Sequence, residues 1–267
     1  MLHTSMSTRR RLLVSASLTA WVALAQPALA EETDQGRLEQ DDQADIVVTA
    51  QKRSERAHDV PVSLTALGQQ AIANARFSQA DDVATKVPNL QFSATVGENT
   101  PIFALRGVSM SDFSLNQSGP VATYYDEVYK GNFAFLGLQM FDLARVEVLR
   151  GPQGTLYGKN TTGGAINLIS AAPVLHDEGY VQAGVGNYGR LESTGAINIA
   201  AGDNLALRVA YTAAHSDGWF RNRLAGKPDL SSTQEYAVRG TVLWRPSEIA
   251  TFTLRLSHSF QNPQNYG

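Results

Sequence analysis

The sequence of 267 residues contains no cysteine. That excludes a disulfide framework, a thiolate-ligated zinc site, an iron–sulfur cluster and a thiol nucleophile. Histidine is scarce: His3, His58, His176, His215 and His258 lie far apart, with no i, i+4 pair, so no metal site is expected. Charge is sparse too, at 18% of residues and a net −3, without the basic patch of a nucleic-acid binder. Beyond the N-terminus no apolar run reaches the ~18 residues of a membrane-spanning helix. Strands hide their apolar atoms in alternation, so a membrane protein built of strands stays open. A G-x-S-x-G elbow is missing, and the scattered acids offer no acid–base pair. Gly184–Gly189 fits G-x-G-x-x-G, but the β-like run Arg190–Ala200 follows where a helix would have to open. Gly154–Asn160 is one residue short of a P-loop and has Asn where Mg²⁺ needs a hydroxyl. No catalysis and no cofactor are expected.

What is present begins with an address. Arg9, Arg10 and Arg11 precede the apolar run 12–25, and Pro27 and Ala28-Leu29-Ala30 follow. That is a secretory signal peptide over 1–30, cleaved near Ala30. Residues 31–45 are acidic and nearly free of apolar side chains, which predicts a flexible linker running to 54. Within it stands Asp45-Ile46-Val47-Val48-Thr49-Ala50, whose β-branched run forms strands. On composition alone it reads as the first strand of the next domain, or as a strand lent to the edge of a partner's sheet.

Residues 55–173 read as a small α+β domain. An edge strand carrying Pro61 comes first, then helix-like 68–76 and a capping box at Ser78–Asp81 that opens a second helix ending before Pro88. Leu90–Ser93, Ile102–Leu105, Val121–Tyr125, Arg145–Leu149 and Gly164–Ser170 read as strands. Arg106, Glu147 and Arg150 sit inside or beside these patterns and need partners.

Phe103–Gly107 (FALRG) and Arg145–Gly158 (RVEVLRGPQGTLYG), extended by Lys159–Asn167, resemble the plug-domain signatures of TonB-dependent outer-membrane receptors, and Val121–Tyr129 resembles a further plug segment with Glu127 where Gly is expected. Asp45–Ala50 is similar to the family's TonB box. The resemblance implies a plug inside a barrel of about 22 strands. It also implies active uptake of a scarce ligand, most often a ferric siderophore, with cobalamin, a carbohydrate or another small molecule as alternatives. Asp45, Ile46, Val47, Val48, Thr49 and Ala50 would then pair with TonB, the inner-membrane energy transducer. Arg106, Glu147 and Arg150 are the expected plug–barrel contacts. The apical loops would place Ser109, Asp112, Phe113, Asn116, Lys130, Asn132 and Phe133 against the ligand. A signal transducer of the same family would carry a folded domain where 31–44 reads as disordered.

Residues 174–267 alternate with a period of two. Leu205, Leu207, Val209 and Tyr211 oppose Ala206, Arg208, Ala210 and Thr212, and the same holds across 236–245 and 251–257. One face suits lipid and the other a wet lumen. Short links at 201–204 and 246–249 alternate with a long polar one at 215–234, as in barrel turns and outer loops, and Trp244 fits an interfacial girdle. The expected fold is therefore an α+β plug domain followed by antiparallel β-strands of an incomplete transmembrane β-barrel, about five strands. The expected protein is a monomer of the cell outer membrane, in contact with outer-membrane lipid, and a fragment of a longer chain that cannot transport by itself. A soluble periplasmic plug-like binding module is the alternative from another class.

Overall fold

The structure is a computed structural model that describes residues 46–75, 77, 80–93, 101–112, 114, 117–132, 140–223 and 229–262. The signal and linker expected over 1–45, Asp45 among them, lie outside the described residues, as do Phe113, Asn116 and Phe133.

The first part of the chain is an α+β unit. Its mixed sheet contains β3 (Leu64–Gly68), β8 (Leu143–Arg150), β9 (Gly164–Ser170), β6 (Val121–Tyr125) and β7 (Val128–Tyr129), in that spatial order. Two small antiparallel ribbons accompany it: β1 (Val47–Val48) with β2 (Glu55–Arg56), and β4 (Leu90–Ser93) with β5 (Ile102–Leu105). Helices α1 (Gln69–Asn74), α2 (Ala80–Lys86) and the single turn α3 (Gly154–Tyr157) complete it.

Because β8 is interior, its alternate side chains face opposite cores. Val146 and Val148 enter a large core with Val83, Leu105, Ile166 and Leu168. Leu149 enters a second core with Val48, Ala50, Ala122, Tyr124 and Tyr157. Glu147 shares the Leu149 side by its parity, and its side chain is wholly buried. Glycine is required at Gly164, where β9 begins with φ +151 and an added Cβ would stand 2.3 Å from the Leu149 carbonyl oxygen. The turn between β6 and β7 is Asp126-Glu127, with φ 46 and 69. Two left-handed residues in succession make a type I′ hairpin. Asp126 offsets the missing glycine by accepting from Ser170 N at 2.9 Å and Ser170 Oγ at 2.6 Å.

The second part is an antiparallel meander of β10 (Glu178–Val185), β11 (Leu191–Ala200), β12 (Leu205–Ser216), β13 (Thr233–Ser247) and β14 (Ala250–Gln261), each paired with the next. Among the described residues it is an open sheet, not a closed barrel. Its two faces are inverted relative to a water-soluble sheet. Arg208, Arg239 and Thr241 are buried with Ala206, Ala210 and Ala237, while Val181, Ile197, Leu207, Val238, Leu254 and Leu256 are exposed. The buried face packs on the α+β unit, where Phe141 meets Ala196, Ala210 and Ala237. Small side chains there let the two parts approach closely.

Candidate functional site: a seated strand and a buried anchor

The strand-forming segment 46–50 is seated on the α+β unit. β1 pairs antiparallel with β2, Val47 opposite Arg56 and Val48 opposite Glu55, and Ala57 N donates to Ile46 O at 2.8 Å. Val48 and Ala50 are fully buried and Val47 is half exposed. Residues 46–54, expected as the end of a flexible linker, are thus held by packing and by hydrogen bonds.

The polar grip on this segment comes from residues about a hundred positions away. Thr49 N donates to Glu147 Oε1 at 2.8 Å, and the same oxygen accepts Arg145 Nε at 2.8 Å. Arg145 Nη2 reaches Thr49 Oγ1 at 3.2 Å, and Asn167 Nδ2 reaches Glu147 Oε2 at 3.3 Å. Tyr157 Oη donates to the Ala50 carbonyl at 2.9 Å and accepts from Asn167 Nδ2 at 2.9 Å. Lys52 Nζ lies 4.9 Å from the Tyr157 ring centre and 5.6 Å from that of Tyr124. Burial pushes the Tyr157 phenol up to about 12 and raises that of Tyr124, so both stay neutral donors at physiological pH.

A second polar cluster joins the unit to the meander. Asp142, buried and at φ 48, accepts two bonds from Arg208: Nε to Oδ2 at 2.9 Å and Nη2 to Oδ1 at 2.7 Å. Arg208 Nη1 also reaches Glu178 at 2.8 Å. Arg239 Nη2 donates to the carbonyls of Phe141 at 3.1 Å and Asp142 at 2.9 Å, and its Nη1 donates to the Tyr125 hydroxyl. Tyr180 Oη reaches Asp142 at 3.3 Å, and Arg255 Nε lies 3.4 Å from Asp126.

Among the described residues the hydrogen bonds of Arg106, Glu147 and Arg150 run within the α+β unit. Glu147 is on an interior strand and turns to β1 rather than to the meander. Arg106 Nη2 donates to Ser63 Oγ at 3.2 Å, and Arg150 Nη2 reaches the Leu64 carbonyl at 3.4 Å. Asp142, Tyr125 and Asp126 contact the meander. The sequence held one signal for them: inward-facing arginines on β12, β13 and β14 require buried anions opposite.

Met110 and Lys130, from the two loops expected to touch a ligand, line a cleft together with Ile102, Val121, Thr123 and Tyr129. Of the residues expected to touch a ligand, Lys130 lines it. Ser109 and Asp112 are exposed nearby in sequence and do not line it. Ser114 donates to Asp112 from its N at 2.9 Å and its Oγ at 2.6 Å, holding that carboxyl below its ordinary range. Asn132 is half-buried beside the cleft-lining Gly131. Among the described residues no group of acids and histidines is arranged to hold a metal ion.

A family model, the TonB-dependent receptor plug domain, matches residues 56–165. The chain belongs to the TonB-dependent receptors. It is 30% identical over 197 residues to the pesticin receptor of Yersinia pestis, covering 73% of this chain and 29% of that relative. It is 24% identical over 260 residues to the ferrioxamine receptor of Yersinia enterocolitica, covering 92% of this chain and 34% of the relative. Among solved structures it is similar to the ferric yersiniabactin uptake receptor of Yersinia pestis, with TM-score 0.67 and 26% identity over 74% of this chain and 31% of that one. The pyoverdine outer membrane receptor of Pseudomonas aeruginosa shares the fold at TM-score 0.66 and 20% identity, over 79% and 29% of the two chains. The chain thus spans about a third of the length of the relatives it matches. The plug is the α+β unit, and the meander corresponds to barrel strands.

Proposed function

We propose that this chain works in a TonB-dependent receptor of the outer membrane that takes up a ferric siderophore. The supporting observation is the inverted meander joined to a plug: arginines are buried against the plug while leucines and valines face outward. In water that face would be a large exposed apolar patch, which favours lipid contact over a soluble periplasmic module. Aromatic pairs Tyr236–Phe260 and Trp244–Phe252 cap the two ends of the outer face of β13 and β14. They lie about 27 Å apart along the strand, or about 20 Å along the membrane normal at the 35–45° tilt of barrel strands, against an apolar band of about 25 Å.

The reading gives each region a task. The cleft at Lys130 and the loops around it receive the ligand. Residues 46–50 supply the strand that TonB pairs with and pulls. For that pairing the backbone of β1 must leave β2 and the Glu147 carboxylate, because those groups now occupy its hydrogen-bonding positions. Relatives named for yersiniabactin, ferrioxamine and pyoverdine support the siderophore class.

The test uses the full receptor in its own outer membrane. Radioiron uptake from ferric yersiniabactin, ferrioxamine and pyoverdine is measured with and without a proton-motive force. Uptake of one of them, dependent on that force and abolished by Val47→Pro with surface binding retained, is expected. Recovery of the receptor as a soluble periplasmic species, or full uptake by Val47→Pro, would overturn the reading.

A further inference from the structure

The outward face of the meander changes character from one end to the other. Its lower end holds the turns at 201–204 and 248–249, and its upper end holds the turn at 186–189 and the loop after Ser216. The pairing registers set cross-strand rungs of outward side chains. The three lower rungs present no hydroxyl, amide or charge; Ile197, Leu207, Trp244 and Leu254 are exposed there. The three upper rungs carry hydrogen-bonding groups: Tyr211 and His258, then Ser193 and Tyr236, then His215 and Gln234. Ser193 is half-buried and the others are exposed. Ser193 Oγ and Tyr211 Oη lie 2.9 Å apart, and the His258 and Tyr236 ring centres are 5.9 Å apart. His215 stands directly opposite Gln234.

The charges complete the pattern. Glu178, Glu192 and Glu235 alternate onto the opposite face, so the paired rungs present no carboxylate outward. Asp217, just past β12, lies 3.9 Å from His215 Nε2. The loop beyond it carries Arg221 and Arg223, both exposed, above a base fixed by hydrogen bonds of 3.2 and 2.8 Å between Phe220 and Leu230. A face rich in donors and poor in carboxylates fits a ligand of acceptors and negative charge. Phosphate oxygens accept, while imidazole, phenol and guanidinium groups donate. Val181, Val185 and Val238 are exposed among these donors, so the occupant covers apolar surface too, as a lipid does and a free anion does not. Height narrows the choice further. The lowest and highest polar rungs are about 14 Å apart along the strand, or about 10 Å along the membrane normal at the tilt of barrel strands. An ordinary headgroup layer is about 5–8 Å deep, and this polar wall is taller.

We infer that the upper half of this face binds a phosphorylated glycolipid of the outer leaflet. Its acyl chains lie on the lower rungs. One phosphate meets Tyr236 and His258, a second meets His215 and Gln234, and Arg221 and Arg223 add positive charge above them. The inference rests on the outer-membrane reading, which supplies the leaflet, and it gives the receptor a ligand other than the one it transports.

The test counts bound lipid. The full receptor is purified in detergent from outer membranes, and its lipid adducts are titrated by native mass spectrometry. The probes are lipid A with both phosphates, the same lipid stripped of them, and phosphatidylglycerol. The phosphorylated lipid A should bind about tenfold more tightly than the stripped one, the effect of one hydrogen bond to a charged group. The double variant His215→Leu with His258→Leu should erase that preference, and Leu254→Ala on the lower rungs should leave it intact. Both histidines are exposed, and the comparison of probes on the parent needs no variant. Equal binding of phosphorylated and stripped lipid A by the parent would overturn the site, as would an undiminished preference in the double variant. Phosphatidylglycerol bound as tightly as phosphorylated lipid A would overturn the choice of a glycolipid. A receptor recovered only as a soluble species would overturn the outer-membrane reading before any lipid is added, so the two failures are told apart.

Discussion

Two buried carboxylates five positions apart in the plug are used in opposite ways. Asp142 receives a bidentate guanidinium, a second arginine and a tyrosine, all from the meander. Glu147 receives one arginine from its own strand, the backbone amide of Thr49 just after β1, and Asn167. The first joins two sheets through charge-assisted bonds between side chains whose separation would strand three buried charged groups. The second holds a five-residue segment through bonds that another strand can replace. The difference is one between an anchor and a catch, built from the same chemistry. What separates them is the number of charges left uncompensated when the contact opens.

Breaking the anchor should have the largest effect. Asp142→Ala leaves Arg208 and Arg239 buried without their carboxylate and should cost about 3–5 kcal/mol, read as a lowered urea midpoint of the full receptor in detergent. Arg239→Met removes the guanidinium that lies 4.6 Å from the Phe141 ring centre and strips donors from the Phe141 and Asp142 carbonyls. It should cost about 1–3 kcal/mol in the same titration.

Glu147→Gln tests whether the catch is local. Hydrogen exchange at the Thr49 amide should speed up by an amount corresponding to about 1–2 kcal/mol while the global urea midpoint barely moves. A global shift as large as that of Asp142→Ala would erase the distinction between the two carboxylates. The sharpest comparison is the double variant of Asp142→Asn with Glu147→Gln. If the two clusters act independently, their effects should add within about 0.5 kcal/mol. A larger coupling would mean that the plug transmits load from the meander to β1.

The strands of the meander were legible because their information is local. A period of two in 205–212 and 236–245 needs no knowledge of the rest of the chain, and β12 and β13 appear there, extended at their upper ends to Ser216 and Thr233. Leu90–Ser93, Ile102–Leu105, Val121–Tyr125 and Gly164–Ser170 form at the residues expected. Turns were harder to read. Asp126-Glu127 looked wrong for a tight hairpin, and only the Ser170 bonds show how an aspartate can hold that conformation. Tyr157 was read as part of a glycine-rich signature, and its hydroxyl gave no hint that it would reach Ala50.

The sequence by itself determined which side chains alternate and that arginines would lie on the face of the strands opposite the apolar one. Tertiary structure alone decided which acid each arginine meets, and it turned Glu147 toward the Thr49 amide. The reason is physical. Alternation is set by the geometry of one strand, residue to residue. The partner of a buried charge is set by which strands become neighbours, and here the Thr49–Glu147 contact spans 98 positions of chain. No local pattern carries that separation, so the interior position of β8 had to be known before its carboxylate could be given a role.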